Sequence, residues 1–196
     1  AHANITALND KMNVSIQLDN TDSIRNEGTI QITSHLLQYA NKPLLNVHLH
    51  PTNIILNDSA WTIDGANIIY NAHEKKLAIT DFALKTDYQS IAAHGTASPN
   101  VEDSITVELR NIELQYLLGY TGVGDAITVQ GPLTGWATLY GLFTNPMVEA
   151  QAVIPKAGLN GTYLGDLSAQ AYLNREDKTG IIEGQVIDST NHNVIQ

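Results

Sequence analysis

Two histidines one residue apart, His48 and His50, come nearer than any other residues of this chain to a pair of reactive side chains. On an extended strand that spacing puts both imidazoles on one face, the placement a metal ion held on a sheet requires. No neighbouring carboxylate or third histidine completes a ligand set, and His35, His73 and His94 are scattered. A serine nucleophile lacks its Gly-x-Ser-x-Gly elbow. The stretch from Gly119 to Gly124 holds a Gly-x-Gly, but not the further glycine, lysine and helix that cradle a phosphate. Asp58, Asp64, Asp81, Asp103 and Asp166 stand mostly in turn-like contexts, where backbone hydrogen bonding accounts for a carboxylate. These readings predict a protein without catalytic residues, metal or cofactor.

The elements that would position any site are strands. Met12, Val14, Ile16 and Leu18 share one parity. So do Leu45, Val47 and Leu49, then Ile105, Val107 and Leu109, then Val148, Ala150, Ala152 and Ile154. A period of two gives each segment one apolar face. Turn chemistry separates the segments at Asp19-Asn20-Thr21-Asp22, Asn57-Asp58, Asp64-Gly65, Ser98-Pro99-Asn100, Asn145-Pro146 and Asn174-Arg175-Glu176-Asp177. Long helical patterns between strands are lacking, so antiparallel hairpins are expected rather than a doubly wound sheet. One short helix is predicted near 112–118, where Ile112, Leu114, Leu117 and Leu118 precede Gly119. Parity slips between Leu77/Ile79 and Phe82/Leu84, which places a bulge or tight turn near Thr80-Asp81.

Composition narrows the function classes. Of 196 residues, 43% are hydrophobic and only 15% charged, so Asn, Thr, Ser and Gln must coat the polar faces. A formal charge of -10 opposes nucleic acid, whose binding rests on Lys and Arg neutralising phosphates. The absence of cysteine rules out disulfides and thiolate metal sites. No run approaches the roughly 20 apolar residues that span a bilayer as a helix. No linker divides the chain, which reads as one β-rich segment over 1–196. Its start at Ala1-His2-Ala3-Asn4 and its end just after a strand-like stretch lead us to expect an excerpt from a longer protein.

An order of short phrases runs through the central and C-terminal stretches. Trp61 to Tyr70 reads as one hairpin, followed by Leu77 to Leu84, Ile91 to Ser98, Asp103 to Leu109 and Ile112-Glu113-Leu114. Gly131, Gly135, Ala137, Leu139 and Gly141 then form a Gly-x-x-x-Gly-x-Ala-x-Leu-x-Gly pattern, with Asn145-Pro146 and Gly158 to Leu167 after it. Over roughly residues 50 to 196 this order resembles the C-terminal periplasmic region of the TamB family, within the wider AsmA-like group of bacterial envelope proteins. The resemblance implies an all-β, elongated and curved, mainly antiparallel sheet forming an open hydrophobic groove, shaped like a taco or gutter. It further implies a parent protein held in the inner membrane by one N-terminal helix, reaching across the periplasm to an Omp85-type outer-membrane barrel. The function implied is outer-membrane biogenesis, through phospholipid transport, translocation and assembly of outer-membrane proteins, or both.

On that reading the inward parity carries the contacts to acyl chains or nascent outer-membrane β-strands: Val14, Ile16, Leu18, Ile105, Val107, Leu109, Ile127, Val129, Ala137 and Leu139. Trp136, of opposite parity to Ala137 and Leu139, belongs on the outer face or a rim. The glycines at 131, 135 and 141 are read as serving sheet curvature. Alternation suits a closed sandwich equally well. A carbohydrate-binding sandwich would cluster aromatics on one exposed face, and a structural spacer would fill its apolar face with its own side chains.

Overall fold

The computed structural model describes residues 2–20, 24–115, 128–174, 179–188 and 193–195. Those residues are all-β. Fifteen strands follow one another as β1 (His2–Leu8), β2 (Lys11–Asp19), β3 (Glu27–Tyr39), β4 (Lys42–Leu49), β5 (Thr52–Leu56), β6 (Ser59–Asn71), β7 (Lys76–Lys85), β8 (Ser90–Ala97), β9 (Ser104–Glu113), β10 (Val129–Gln130), β11 (Pro132–Tyr140), β12 (Met147–Leu159), β13 (Thr162–Asn174), β14 (Thr179–Asp188) and β15 (Asn193–Ile195). The chain divides into two compact units. The first comprises Ala1–Asp87, Ala92–Thr106 and Tyr140–Pro146; the second comprises Tyr88–Ile91, Val107–Leu139 and Met147–Gln196.

In the first unit the hydrogen-bonded order is β1-β2-β3-β4-β6-β7-β8. The ladders β1 to β2, β2 to β3, β3 to β4, β4 to β6 and β6 to β7 are antiparallel. Tight hairpins turn on left-handed backbone. Ala40 and Asn41 (φ 49° and 61°) join β3 to β4, and Asn57 and Asp58 (φ 50° and 63°) join β5 to β6. Positive φ at both central positions is the type I′ signature, whose twist matches that of the strands. β4 and β5 run in line between β3 and β6. From Leu49 to Ile54 the chain takes five steps while β3 takes four, from Ile32 to Gly28, so the junction at His50-Pro51 is a bulge. The residues buried around this junction include Ile54, Trp61, Ile63 and Ala66.

In the second unit the order is β9-β11-β12-β13-β14-β15, with β10 on β12. The β12 to β13, β13 to β14 and β14 to β15 ladders are antiparallel. Gly135 fits where it does because a Cβ there would collide with the backbone oxygen of Gln151 and stand 2.9 Å from the Cα of Ala152.

Ladder breaks recur in both units and are built alike. Asp81 is left-handed (φ 59°) where β7 slips against Gly65 (φ 102°) of β6. Lys156 (φ 53°) stands where β12 slips against Gly165 (φ 120°) of β13, and its N–H donates to Asp166 Oδ1 at 2.8 Å. Asn111 (φ 52°) in β9 donates its N–H to Thr134 Oγ1 at 3.0 Å and accepts the Thr134 hydroxyl at 3.2 Å. The slip foreseen near Thr80-Asp81 is the first of these.

Two sequence expectations need correcting. Asp64-Gly65 is not a turn, and Trp61 to Tyr70 is not a hairpin: both lie within the single 13-residue strand β6, where Gly65 forms part of a bulge. The short helix does not begin at Ile112, because Ile112 and Glu113 close β9. The break at Asn111 shifts the apolar phase from Ile105, Val107 and Leu109 to Ile112, which mimics a non-strand period. Leu114 and Gln115 take up helical backbone, and 116–118 lie outside the described residues.

Candidate functional site

The register of the first unit sorts its side chains into two faces. Across the ladders, Ala3, Ile16 and Ile30 stand opposite one another, as do Ile5, Val14, Ile32, Leu49 and Ala66. The next row is Ala7, Met12, Ser34, Val47, Ile68 and Ile79, and the next Leu36, Leu45, Tyr70 and Leu77. Directly paired residues share a face, so four largely apolar rows, the longest crossing six strands, lie on one side of the sheet. Strands about 4.8 Å apart and rows about 6.8 Å apart give an area on the order of 500 Å². Most of these side chains are half-buried, and Ile5 and Leu36 are 62% and 59% exposed. No large side chain among the described residues is completely buried.

The opposite face is a row of polar groups without a carboxylate or an amine: Thr6, Asn13, Thr33, His48, Asn67 and Thr80. Thr33 Oγ1 donates to Asn13 Oδ1 at 3.3 Å and lies 2.9 Å from His50 Nε2. His48 Nδ1 donates to Asn67 Oδ1 at 2.9 Å, and the two imidazoles meet edge to face at 4.6 Å. Among the described residues no group of three or more His, Cys, Asp or Glu is placed to hold a metal ion.

In the second unit one face is lined by small and aliphatic residues. Ala150 faces Ala171 and Ile182, Ala152 faces Ala169 and Gly184, and Ile154 faces Leu167 and Val186. The reverse carries Gln151, Gln170 and Glu183 in one row and Val153, Ser168 and Gln185 in the next. Gln170 Nε2 donates to Glu183 Oε2 at 2.8 Å, and the Tyr172 hydroxyl donates to Glu183 Oε1 at 3.3 Å. Removal from water first, then the neighbouring carboxylate, hold the Tyr172 pKa above the ordinary tyrosine value, so the hydroxyl stays a neutral donor. Gln151, Ser168, Gln170, Glu183 and Gln185 line a shallow depression of about 670 Å³.

The residues singled out in the sequence are distributed over both units. Val14, Ile16 and Leu18 are half-buried on the apolar face of the first unit, and Ile105 is buried in that unit. Val107, Leu109, Val129, Ala137 and Leu139 are half-buried in the second unit, where Val129 pairs with Leu159. Ile127 lies outside the described residues. Trp136 is 39% exposed, on a strand whose Ala137 and Thr138 are less so. The register adds Ile30 and Ile32, whose alternation was present in Thr29-Ile30-Gln31-Ile32. It also adds Ile68 and Tyr70, which the phase change at Gly65 hid. Compared with known proteins, the chain matches no family model, no curated protein and no solved structure.

Proposed function

We propose that this chain is a lipid-carrying segment of a TamB-like envelope protein. It lies in the periplasm, its parent is anchored in the bacterial inner membrane, and it acts in outer-membrane biogenesis together with an Omp85-type barrel. The cargo is phospholipid acyl chain or the apolar side of a nascent outer-membrane strand, and no catalytic step is involved. The observation that carries this reading is the four-row apolar face across β1 to β7, left half-exposed. A fully buried methylene contributes about 0.8 kcal/mol, so eight methylenes covered on one side by such a surface hold a chain by about 3 kcal/mol. A shallow continuous face grips cargo without trapping it in a pocket. The order of glycine and apolar phrases from Trp61 to Leu167 supports the family assignment.

A saccharide-binding reading draws on one observation of its own, the polar depression on the second unit with Tyr172 beside it.

Native mass spectrometry of the protein expressed in a bacterial envelope tests both, beside an Ile16→Asp, Val47→Asp variant whose strand content is checked by circular dichroism. Phospholipid carried by the parent and lost from the folded variant is the result expected. A parent that emerges free of lipid overturns carriage, and a bound glycan on that parent selects the saccharide reading. If the variant does not fold, displacement of a fluorescent fatty acid from the parent gives the same answer.

A further inference from the structure

We propose that His48 and His50 chelate a copper(II) ion on the polar face of the first unit. Spacing alone left the pair short of a ligand set; register and hydrogen bonding add what an imidazole chelate needs. His48 stands on β4 between Thr33 of β3 and Asn67 of β6, and His50 follows at the bulge, its backbone N–H donating to Gln31 O at 3.0 Å. The two rings meet edge to face with centroids 4.6 Å apart. Two imidazoles bound at a right angle to one ion, with metal–nitrogen bonds of about 2.0 to 2.1 Å, place their centroids about 4.5 Å apart. The rings thus already stand at the separation an ion would set.

Each ring is also held from behind. His48 Nδ1 donates to Asn67 Oδ1 at 2.9 Å, which leaves its lone pair on Nε2. His50 Nε2 lies 2.9 Å from Thr33 Oγ1, an oxygen able to accept an Nε2–H while Nδ1 holds a metal. Among the described residues, His48 Nε2 and His50 Nδ1 have no hydrogen-bond partner. A ligating histidine characteristically bonds its second nitrogen to an oxygen in this way, which orients the ring and raises its basicity. His48 is exposed and His50 half-buried, so an ion reaches them from solvent.

The donor set selects the ion. His35, on the same face of β3, lies 3.8 Å from Asp10, and among the described residues no third His, Cys, Asp or Glu joins the pair. Two imidazoles without a carboxylate suit neither calcium nor magnesium, which take oxygen ligands, and are too few for a structural zinc with its four protein ligands. Copper(II) heads the affinity order for nitrogen ligands and completes a tetragonal plane with water. The row through His48 holds no lysine or arginine to repel it, and the formal charge of -10 favours cations. The site shares no residue with the apolar face, so it stands or falls independently of lipid carriage.

Copper sulfate titrated into the whole chain carrying His2→Gln tests it, that replacement removing the chelate which an amino-terminal Ala-His itself offers copper. One ion per chain is expected, with splitting from two imidazole nitrogens in its electron paramagnetic resonance spectrum. His48→Gln and His50→Gln should each weaken binding by about a hundredfold, and Asn67→Ala, which removes only the positioning bond, by about tenfold, with Asn67→Asp restoring it. His73→Gln should leave the affinity unchanged. Copper below one equivalent should broaden the His48 and His50 ring resonances before those of His35, His73 and His94, a reading that does not depend on the folding of any further variant. Broadening that begins at another histidine, splitting from a single nitrogen or from backbone amides, or an affinity unchanged in the double His48→Gln, His50→Gln chain would overturn the proposal.

Discussion

Gly135 tolerates no side chain, because the backbone of β12 occupies the space a Cβ would take. Gly135→Ala should therefore force the β11 to β12 ladder apart and cost about 2 to 3 kcal/mol, read as a lowered urea midpoint. Ala40 shows the opposite case. Held at φ 49° in a hairpin, it carries the left-handed cost of about 1 to 2 kcal/mol for an L-residue. Ala40→Gly removes that strain against an entropic cost of about 0.5 to 1 kcal/mol, so a net gain of about 0.5 kcal/mol is expected in the same titration. At this scale the sequence was only partly readable. Asn57-Asp58 turns the chain as its residue types indicate, while Asp64-Gly65, of the same types, bulges inside a strand. Left-handed tolerance serves both devices, and what chooses between them is the neighbouring strand.

The strands themselves were legible wherever alternation ran unbroken, as in Val14-Ile16-Leu18 and Val47-Leu49. They were obscured where a bulge reset the phase. Asn111 moved Ile112 onto the apolar parity and made the end of β9 look helical, and the break at Gly65 split one long strand into an apparent hairpin. The polar face of the first unit is equally a property of elements, since Asn13, Thr33, His50, His48 and Asn67 come from successive strands and meet only through register. Thr33→Val keeps a β-branched residue in the strand but deletes both bonds of the hydroxyl. A loss of about 1 kcal/mol in chemical denaturation is expected.

For the molecule as a whole, the all-β class followed from turn spacing and the want of helical periods. The cargo face did not, because an alternating strand reads the same whether its apolar side meets cargo or a second sheet. Only the ladder partners, residue against residue, gather Ile32, Leu49 and Ala66 into one row. The division into two units left no mark of composition that a linker would have made. One further consequence follows from β1, whose only ladder partner among the described residues is β2 and whose seven residues are all exposed. Its outer side holds unspent N–H and C=O groups, and within His2–Leu8 neither lysine, proline nor bulge blunts them. Such a rim is a template for its own kind. Scattering mass should climb with protein concentration as copies zip along it, and Ile5→Lys should hold the protein at the mass of a single chain.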